Sequence, residues 1–263
     1  MVMSMDDEIK ILAQKTIESV SRKIKRSATT DFTKFNNNIG LGADGSVTKY
    51  VDKIAEDEAM DIINKSKTKV NVLSEEIGFI DNKAEYTFVL DPLDGTRNAA
   101  RGIPFYAVSL AVGKEHLSDV EYGIVKNIPT GDIFLAEKGF GTFYNNNQIG
   151  VPELPDKEIL SSIALGKNYD KTTIKLARKD KVRSLGSASL EMCMVAIGGI
   201  DYYCIGKEYL RIVDIAASTL ILREAGGVVT NIIGEELDMP FDLNEHTSVV
   251  AACNLDLVKK VIS

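Results

Sequence analysis

The feature that most constrains this chain is the hexapeptide Asp91-Pro92-Leu93-Asp94-Gly95-Thr96, which directly follows an apolar run. The run, residues 86–90, is typical of a buried strand. Pro92 and Gly95 predict a turn after that strand, and the turn carries two carboxylates three residues apart. Asp91 and Asp94, together with a carbonyl of the turn, are the oxygen ligands that a hard divalent cation prefers. The sequence therefore predicts a cation site at the exit of a strand.

The last two residues of the hexapeptide add a candidate anion site. The main-chain amides of Gly95 and Thr96 can hold an anion if a helix begins there. Cation and anion sites side by side indicate phosphate chemistry with a divalent metal. The net charge of −7 would repel a phosphorylated substrate. Local amides, basic side chains and metal ions must therefore reverse the sign of the potential in the pocket.

Composition excludes several classes of function. The 263 residues suffice for one large domain or two lobes. The acidic balance argues against nucleic-acid binding, and the apolar runs are too short to cross a bilayer. The first ten residues do not resemble a signal peptide. We expect a cytoplasmic protein without a membrane partner.

Cysteine and histidine usage narrows the metal chemistry. Cys193, Cys204 and Cys253 are widely spaced, which predicts buried free thiols in a reducing compartment. The only histidines are His116 and His246, both in polar, loop-like surroundings. This scarcity argues against zinc sites and Ser-His catalysis, and it favours Mg²⁺ or Mn²⁺ bound by oxygen ligands.

The first part of the chain predicts two helices and a loop. Apolar spacing indicates amphipathic helices over residues 6–26 and 48–65. Asp52 falls in the first turn of the second helix, where a carboxylate also suits the helix dipole. The Gly-rich stretch 35–46 is predicted as a loop, either a flexible connector or an active-site lid.

Strands then dominate up to residue 151. A short strand, residues 70–73, ends at Ser74-Glu75-Glu76, an exit where ligands often collect. Further strands are predicted at residues 105–113, 120–128 and 133–136, followed by a hairpin over 142–151 with asparagines at its tip. Tight turns between successive strands favour an antiparallel sheet.

From residue 152 onward, strands and helices alternate, which implies a second α/β lobe. We therefore divide the chain into lobes 1–151 and 152–263. Asp214 stands before a predicted helix over 215–224. Taken alone it suits an N-cap, although an aspartate there can also project into a cleft between two lobes.

Three motifs together resemble the signatures of the inositol monophosphatase family of metal-dependent phosphatases. They are Glu75-Glu76, the DPLDGT hexapeptide, and Val213-Asp214-Ile215-Ala216-Ala217. The resemblance runs from residue 42 to residue 227. The Gly-Ala-Asp-Gly loop and Arg211-Ile-Val-Asp resemble archaeal members, often dual fructose-1,6-bisphosphatase/inositol-1-monophosphatases. The implied fold class is α+β / α/β, a layered αβαβα sandwich of the inositol monophosphatase/fructose-1,6-bisphosphatase type.

The same resemblance implies a metal ligand set. Glu75, Asp91 and the backbone carbonyl of Leu93 match the ligands of a first ion. Asp91, Asp94 and Asp214 match those of a second, so that Asp91 bridges the two. Glu75 also matches a residue that holds a third ion through water. The implied cofactor is Mg²⁺, two or three ions per site, with Mn²⁺ as the alternative.

Roles in catalysis follow from the resemblance as well. Thr96, with Asp52 behind it, matches the pair that orients and activates the attacking water, and Glu75 belongs to the same catalytic set. The amides of Gly95 and Thr96 match the phosphate cradle. Two cations about 3.5–4 Å apart can activate a water and stabilise a leaving oxygen. We expect direct in-line attack on phosphorus without a phosphoenzyme.

Substrate contacts are predicted less sharply. Gly186-Ser187-Ala188 precedes a helix, so its amides could meet a sugar hydroxyl. Three basic residues are candidates for a second phosphate, and Arg97 is a candidate at the rim. Each basic residue taken singly is typical of a surface charge. The predicted substrate-binding set is Asp94, Arg97, Arg183, Gly186, Ser187, Ala188, Lys207 and Arg211.

Three functions are weighed. The first is hydrolysis of fructose 1,6-bisphosphate and inositol 1-phosphate, small phosphorylated sugar or polyol substrates. The second is hydrolysis of 3′-phosphoadenosine 5′-phosphate, which needs an adenine pocket. The third is a non-catalytic regulatory homologue, which would have lost a metal ligand or Thr96, and all of these are present. The resemblance also implies a homodimer or tetramer.

Overall fold

Five alternating layers of helix and sheet form the fold, in the order helix, sheet, helix, sheet, helix. The computed structural model describes residues 5–43, 45, 47–153, 158–165, 171–178 and 181–263, and the side chains of residues 171 and 172 lie outside this description. The layered αβαβα sandwich implied by the sequence is thus the observed architecture.

The helices of the described residues are numbered in chain order. They are α1 (Asp7–Thr30), α2 (Tyr50–Lys65), α3 (Thr96–Ala99), α4 (Lys171–Ala177), α5 (Ala188–Ala196), α6 (Ile212–Glu224) and α7 (Leu255–Ile262).

The strands are numbered in the same way. They are β1 (Asn38–Leu41), β2 (Val47–Lys49), β3 (Asn71–Ser74), β4 (Gly78–Ile80), β5 (Thr87–Asp94), β6 (Ala107–Gly113), β7 (Tyr122–Asn127), β8 (Ile133–Glu137), β9 (Gly141–Tyr144), β10 (Asn147–Ile149), β11 (Leu160–Ile163), β12 (Lys181–Arg183), β13 (Tyr202–Leu210), β14 (Val228–Thr230) and β15 (Thr247–Ala252).

The larger sheet has eight strands in the order β10-β9-β8-β7-β6-β5-β3-β4. Its neighbours pair antiparallel except β3 and β5, which run parallel. The predicted antiparallel sheet is therefore confirmed in most of its ladders. The predicted hairpin is confirmed too, since Asn145 and Asn146 adopt the positive φ values that a tight β9–β10 turn requires. Because β3 and β5 are parallel, their carboxyl ends meet at one edge of the sheet.

The smaller sheet is mixed, with the order β12-β11-β13-β15-β14. Strand β11 pairs parallel with both β12 and β13, whereas β15 pairs antiparallel with β13 and β14. Helices α4 and α7 lie on its outer face. The alternation of strand and helix predicted for residues 152–263 is thus observed in the described residues.

Helix α6 forms the centre of the molecule together with α5. All of its residues from Ile212 to Leu222 are buried, because it packs against the larger sheet while α5 packs against the smaller one. Gly123 of β7 permits this approach, since a Cβ atom there would lie 2.9 Å from the carbonyl oxygen of Ala217. One apolar cluster consequently joins residues of both predicted lobes.

The opposite face of the larger sheet is covered by α1 and α2. The apolar positions that predict α1 are buried, among them Leu12, Ile17 and Val20. The three cysteines are buried free thiols, as predicted. Among the described residues no helix is both long and apolar enough to cross a membrane.

Several predicted boundaries are wrong. Residues 35–46 are not all loop, because β1 pairs with β2 in a short antiparallel hairpin; positions 44 and 46 of this stretch lie outside the described residues. The strand before the hexapeptide does not stop at Leu90 but continues to Asp94, with an irregular register between Asp91 and Asp94. Pro92 falls at that irregularity, where a missing amide does not interrupt the ladder.

Two further boundaries shift for local reasons. Helix α6 begins at Ile212, so Asp214 is its third residue and Arg211 is the N-cap. The interpretation of Asp214 as an N-cap is therefore wrong. Strand β13 runs to Leu210, well beyond the predicted residue 204, because its pairing with β15 resumes after an irregular stretch.

Candidate active site

Three carboxylates from different parts of the chain converge at the end of β5. Glu75, Asp91 and Asp214 each offer an oxygen atom that lies within 4.8 Å of the others. Glu75 follows β3, Asp91 lies in β5, and Asp214 lies in the first turn of α6. Because β3 and β5 are parallel neighbours, the first two carboxylates share one sheet edge, and α6 brings the third from the central helix layer.

Leu93 adds a neutral oxygen beside the carboxylates. Its carbonyl oxygen lies 3.2 Å from the Thr96 hydroxyl oxygen, and Leu93 lines the same pocket as Asp91 and Glu75. Carboxylate and carbonyl oxygens are the donors that hard divalent cations prefer. These residues therefore fit a divalent metal.

A small pocket lies at this centre. Its lining combines the ends of β3 and β5 with the first turn of α2. The lining residues are Asp52, Glu75, Glu76, Asp91, Pro92 and Leu93.

Asp94 faces the N-terminus of α5. Its Oδ2 accepts hydrogen bonds from the Ser187 hydroxyl at 2.6 Å, the Ser189 hydroxyl at 2.5 Å and the Ser189 amide at 2.8 Å. Asp94 is not one of the three carboxylates that converge within 4.8 Å among the described residues. Only Oδ1 of Asp94 thus stays without these three donors, while Oδ2 is fixed by the second half of the chain.

Asp52 and Thr96 form a hydrogen-bonded pair next to the carboxylates. The Thr96 hydroxyl lies 2.7 Å from Asp52 Oδ1, and the Lys49 amide donates to Asp52 Oδ2 at 2.8 Å. Asp52 is the third residue of α2 and accepts from the N-cap amide, so one side chain both caps the helix and holds Thr96. The structure thereby brings together the two residues that the family resemblance pairs.

Gly95 joins β5 to α3 in a conformation that only glycine adopts readily. Its φ is +91°, and a Cβ atom there would lie 3.1 Å from the Tyr106 Cβ and 3.2 Å from the Phe105 carbonyl oxygen. A side chain would therefore be strained and crowded. Gly95 is the N-cap of the short helix that starts at Thr96, so a helix does begin at this turn.

Arg211 points into the carboxylate centre. Its Nη2 lies 2.9 Å from Glu75 Oε1 and 3.0 Å from Asp214 Oδ1, and its Nε lies 3.2 Å from Asp214 Oδ2. Only 13% of its side chain is exposed. Burial opposes the charge, but Asp214 and Glu75 outweigh burial and raise the pKa of Arg211. The interpretation of Arg211 as a surface charge is therefore wrong.

The other basic residues predicted to contact the substrate lie on the surface. Arg97, Arg183 and Lys207 are all exposed. Arg97 lies in α3, Arg183 ends the edge strand β12, and Lys207 lies where the β13–β15 register is irregular. Gly186 and Ser187 lie in the loop before α5, and the Ser187 hydroxyl donates a hydrogen bond to Asp94. Ala188 is the first residue of α5.

Burial and mutual repulsion make Glu75, Asp91 and Asp94 hard to ionise. Burial first, and then Glu75, Asp94 and Asp214, raise the pKa of Asp91 well above its ordinary value. Burial likewise raises the pKa of Glu75 to about 8, although Arg211 lowers it, and the pKa of Asp94 to about 6. A cluster of buried carboxyls with raised pKa values is typical of a functional site. Bound cations would reduce the repulsion between the ionised carboxylates.

Glu56 is a further buried carboxyl that the sequence did not single out. It lies one turn after Asp52 on α2, is 1% exposed, and accepts a hydrogen bond from the Ser74 hydroxyl at 2.7 Å. Its Oε1 has no hydrogen-bond partner in the described part of the chain. Burial raises its pKa to about 7, and Glu76 adds to the shift.

Three other residues position the site. The Asn98 side-chain amide donates to the Phe105 carbonyl and to the Leu185 carbonyl, both at 2.7 Å, and so ties α3 to the second half of the chain. Glu191 of α5 accepts from the Leu185 amide at 2.9 Å, and Ser189 holds Asp94. Ser189 and Glu191 are polar residues in the first turn of an otherwise apolar helix. That sequence pattern could have identified both.

The β1–β2 hairpin is attached to the same centre. The Ala43 amide donates to the Glu76 carbonyl at 3.0 Å, and the Thr48 hydroxyl donates to the Glu76 carboxylate. Glu76 in turn lines the pocket. The stretch predicted as a connector or a lid therefore lies beside the candidate site.

This layered fold, with an acidic centre between its two sheets, is that of a metal-dependent phosphoric monoester hydrolase. The model of the inositol monophosphatase family matches residues 5–262, and the chain belongs to this family. The predicted resemblance is thereby confirmed.

Individual relatives of the chain carry the names of different phosphatases. The chain is 42% identical over 238 residues to the fructose-1,6-bisphosphatase/inositol-1-monophosphatase of Methanothermobacter thermautotrophicus, with 85% of each chain covered. It is 36% identical over 270 residues to the bifunctional NADP phosphatase/NAD kinase of Methanococcus maripaludis. That match covers 93% of this chain but 47% of the relative, so the chain spans about half of that protein's length.

A solved structure resembles the whole chain. It is a Pyrococcus horikoshii protein described as having similarities to inositol-1 monophosphatase, with a TM-score of 0.84 and 33% sequence identity. The alignment covers 97% of each chain. The similarity therefore extends over both sheets and the helices between them.

Proposed function

We propose that the protein is a Mg²⁺-dependent phosphatase that hydrolyses sugar and polyol phosphate monoesters, above all fructose 1,6-bisphosphate and inositol 1-phosphate. The observation that carries this proposal is the convergence of Glu75, Asp91 and Asp214 beside the Thr96–Asp52 pair. Phosphate monoesters hydrolyse extremely slowly without a catalyst. A cation centre next to a proton-accepting pair is an arrangement suited to that reaction.

The proposed ligand roles follow the family resemblance. Glu75, Asp91 and the Leu93 carbonyl would hold one cation, and Asp91, Asp214 and Oδ1 of Asp94 a second. When bound, Mg²⁺ supplies Lewis-acid chemistry, since it polarises phosphoryl oxygens and lowers the pKa of water. The three donors on Asp94 Oδ2 keep that carboxylate in one orientation, which is what second-sphere hydrogen bonds do for a ligand.

Thr96 and Asp52 accept the proton of the attacking water. The Thr96 hydroxyl donates to Asp52 at 2.7 Å, so its oxygen keeps lone pairs that accept a hydrogen bond from water. Burial raises the pKa of Asp52 to about 6, which places this carboxylate near the range in which a general base is effective. The pair therefore orients the water and receives its proton, and the amides of Gly95 and Thr96 hold the phosphate.

The sugar or polyol would lie toward α5 and the loop before it. Ser187 and the backbone of Gly186 stand next to Asp94, and the exposed Arg97, Arg183 and Lys207 are the candidates for a second phosphate. Arg211 leaves this set, because it is engaged with Glu75 and Asp214. The resemblance extends the proposal to a cytoplasmic homodimer or tetramer.

A second candidate substrate class is favoured by the similarity to an NADP phosphatase/NAD kinase from Methanococcus maripaludis. NADP carries its phosphate monoester on the adenosine ribose, as does the predicted alternative 3′-phosphoadenosine 5′-phosphate. Both would use the same cation centre with a different leaving group.

The test is a comparison of kcat/KM for fructose 1,6-bisphosphate, inositol 1-phosphate, NADP and 3′-phosphoadenosine 5′-phosphate, each with Mg²⁺. We expect the two sugar or polyol substrates to lead by at least about tenfold, which corresponds to about 1.4 kcal/mol of transition-state binding. A lead of either nucleotide by that factor would overturn the substrate assignment. Asp94→Asn and Asp214→Asn should each abolish phosphate release while the fold stays intact.

A further inference from the structure

Arg211 occupies an unusual position for a basic residue in a phosphatase, because its partners are carboxylates that would bind metal. One nitrogen, Nη2, lies within hydrogen-bond distance of Glu75 Oε1 (2.9 Å) and of Asp214 Oδ1 (3.0 Å). Arginine commonly forms such forked, charge-assisted contacts with carboxylates. Its guanidinium therefore lies between two of the three carboxylates of the candidate metal centre.

The contact joins separate parts of the fold. Glu75 follows β3 of the larger sheet, whereas Asp214 belongs to α6 in the central helix layer. Arg211 is the N-cap of α6, and its own amide donates to Asp214 Oδ2 at 2.7 Å. The guanidinium thus reaches from the start of α6 across to the end of β3.

The local charge explains why a cation is needed there even without metal. Glu75, Asp91 and Asp214 place ligand atoms within 4.8 Å of one another, and Asp94 lies next to them. Like charges this close repel strongly when water is excluded. With 13% of its side chain exposed, Arg211 places one buried positive charge between two of these carboxylates.

We propose that Arg211 is an internal counter-cation of the metal centre, which holds Glu75 and Asp214 together in the metal-free protein and competes with divalent cations for their oxygens. It is a positioning residue, and it sets the Mg²⁺ affinity of the site. This inference rests on the proposed metal-dependent function. It differs from the expectation that Arg211 binds a substrate phosphate.

Competition has two consequences that can be measured without turnover. Removing the positive charge leaves the carboxylates uncompensated, so the metal-free protein loses stability. The same carboxylates then bind Mg²⁺ more tightly, because Mg²⁺ no longer has to displace the Arg211 guanidinium. Since a ligand stabilises the folded state by RT ln(1 + [L]/Kd), and the variant has the lower Kd, Mg²⁺ should raise the Tm of the variant more than that of the wild type.

The experiment compares wild type, Arg211→Met and Arg211→Lys. Methionine keeps an unbranched side chain without charge, and lysine keeps the charge without the fork. Arg101→Met is the matched control, since Arg101 is exposed. Tm is measured in EDTA and with Mg²⁺, and the Mg²⁺ Kd is measured by isothermal titration calorimetry.

For Arg211→Met we expect a Tm in EDTA lower by about 2–4 °C, the shift typical of losing one such interaction in a protein of this length. We expect a Mg²⁺ Kd about tenfold lower than that of the wild type, a Tm in saturating Mg²⁺ close to the wild-type value, and Arg211→Lys between the two. Arg101→Met should behave as the wild type. Folding of Arg211→Met only when Mg²⁺ is present would support the proposal as well.

Other outcomes contradict the proposal. A Mg²⁺ Kd that is unchanged or higher in Arg211→Met would exclude competition between Arg211 and Mg²⁺. A raised substrate KM with an unchanged Mg²⁺ Kd would assign Arg211 to substrate binding. If Arg211→Met does not fold under any condition, an unchanged Kd and Tm in Arg211→Lys would overturn the proposal. Absence of Mg²⁺ binding in the wild type and in both variants would contradict the proposed function itself.

Discussion

The Thr96 hydroxyl donates a hydrogen bond of 2.7 Å to Asp52 Oδ1, and this bond connects the start of α3 with the first turn of α2. Asp52 is fixed from the other side by the Lys49 amide. A side chain held at both oxygens has one orientation, so the Thr96 hydroxyl has one as well. The pair is therefore placed before any substrate binds.

Removing the Thr96 hydroxyl should reduce catalysis without disturbing the metal centre. For Thr96→Val we expect kcat to fall by about 10²–10⁴-fold, the usual contribution of a proton-accepting group, with an unchanged Mg²⁺ Kd. Thr96→Ser, which keeps the hydroxyl, should stay within about tenfold of wild type. Steady-state phosphate release measures both variants, and a Thr96→Val enzyme as fast as the serine variant would rule out this role.

The serines that hold Asp94 should affect metal binding rather than folding. The Ser187 and Ser189 hydroxyls both donate to Asp94 Oδ2, and loss of such outer partners weakens metal affinity by about 10–100-fold. We expect this loss for the double variant Ser187→Ala/Ser189→Ala in a Mg²⁺ titration. Ser118→Ala, at an exposed serine, is the control. An unchanged Mg²⁺ Kd in the double variant would show that Asp94 needs no such support.

Asn98 links α3 to the loop before α5, and its loss should destabilise the fold. Asn98→Ala removes the donor to the Phe105 and Leu185 carbonyls, and buried groups left unsatisfied cost about 1–3 kcal/mol. The free energy of unfolding in urea should fall by that amount. Asn147→Ala, at the exposed start of β10, should change it by less than about 0.5 kcal/mol. Equal losses in the two variants would contradict a link of this kind.

Glu56 should make stability depend on pH. Its ordinary pKa of 4.5 is raised to about 7 by burial, with Glu76 adding to the shift while Ser74 and Lys53 oppose it. The folded state therefore binds this proton more tightly than the unfolded chain does. The resulting stability is fully present below about pH 4.5 and is lost as pH rises to about 7, by at most about 3 kcal/mol.

Glu56→Gln keeps an acceptor for the Ser74 hydroxyl but does not titrate. Urea unfolding of both proteins in EDTA at pH 5 and pH 8 isolates the effect. We expect the variant to gain stability relative to wild type between the two pH values. If the stabilities of wild type and variant change in parallel, Glu56 does not carry this proton.

Much of the site followed from local sequence patterns. A buried strand before the hexapeptide, and a second strand before Glu75, predict that carboxylates meet at one sheet edge, and the parallel pairing of β3 with β5 agrees. The Gly95 turn and the position of Asp52 in a first helical turn are also local features. These predictions needed no knowledge of the tertiary structure.

The remaining features depend on contacts between distant residues. Arg211 lies three residues before Asp214, but its contact with Glu75 spans the two halves of the chain. Ser189 and Asn98 likewise act through partners about ninety residues away. Single-residue patterns suggest surface charge or a helix start at such positions, because the partner that gives them a role is supplied only by the packing of α5 and α6.

The central claim is that Glu75, Asp91 and Asp214 hold the divalent cations of a phosphatase. Phosphate release from fructose 1,6-bisphosphate, measured against Mg²⁺ concentration for wild type and Asp91→Asn, tests it most directly. Asp57→Asn, at an exposed carboxylate of α2, is the matched control. We predict saturable, EDTA-sensitive release for wild type and the control, and a rate at least about 10³-fold lower for a folded Asp91→Asn at every Mg²⁺ concentration. Turnover by Asp91→Asn within tenfold of wild type, or wild-type release that persists in EDTA, would contradict the claim.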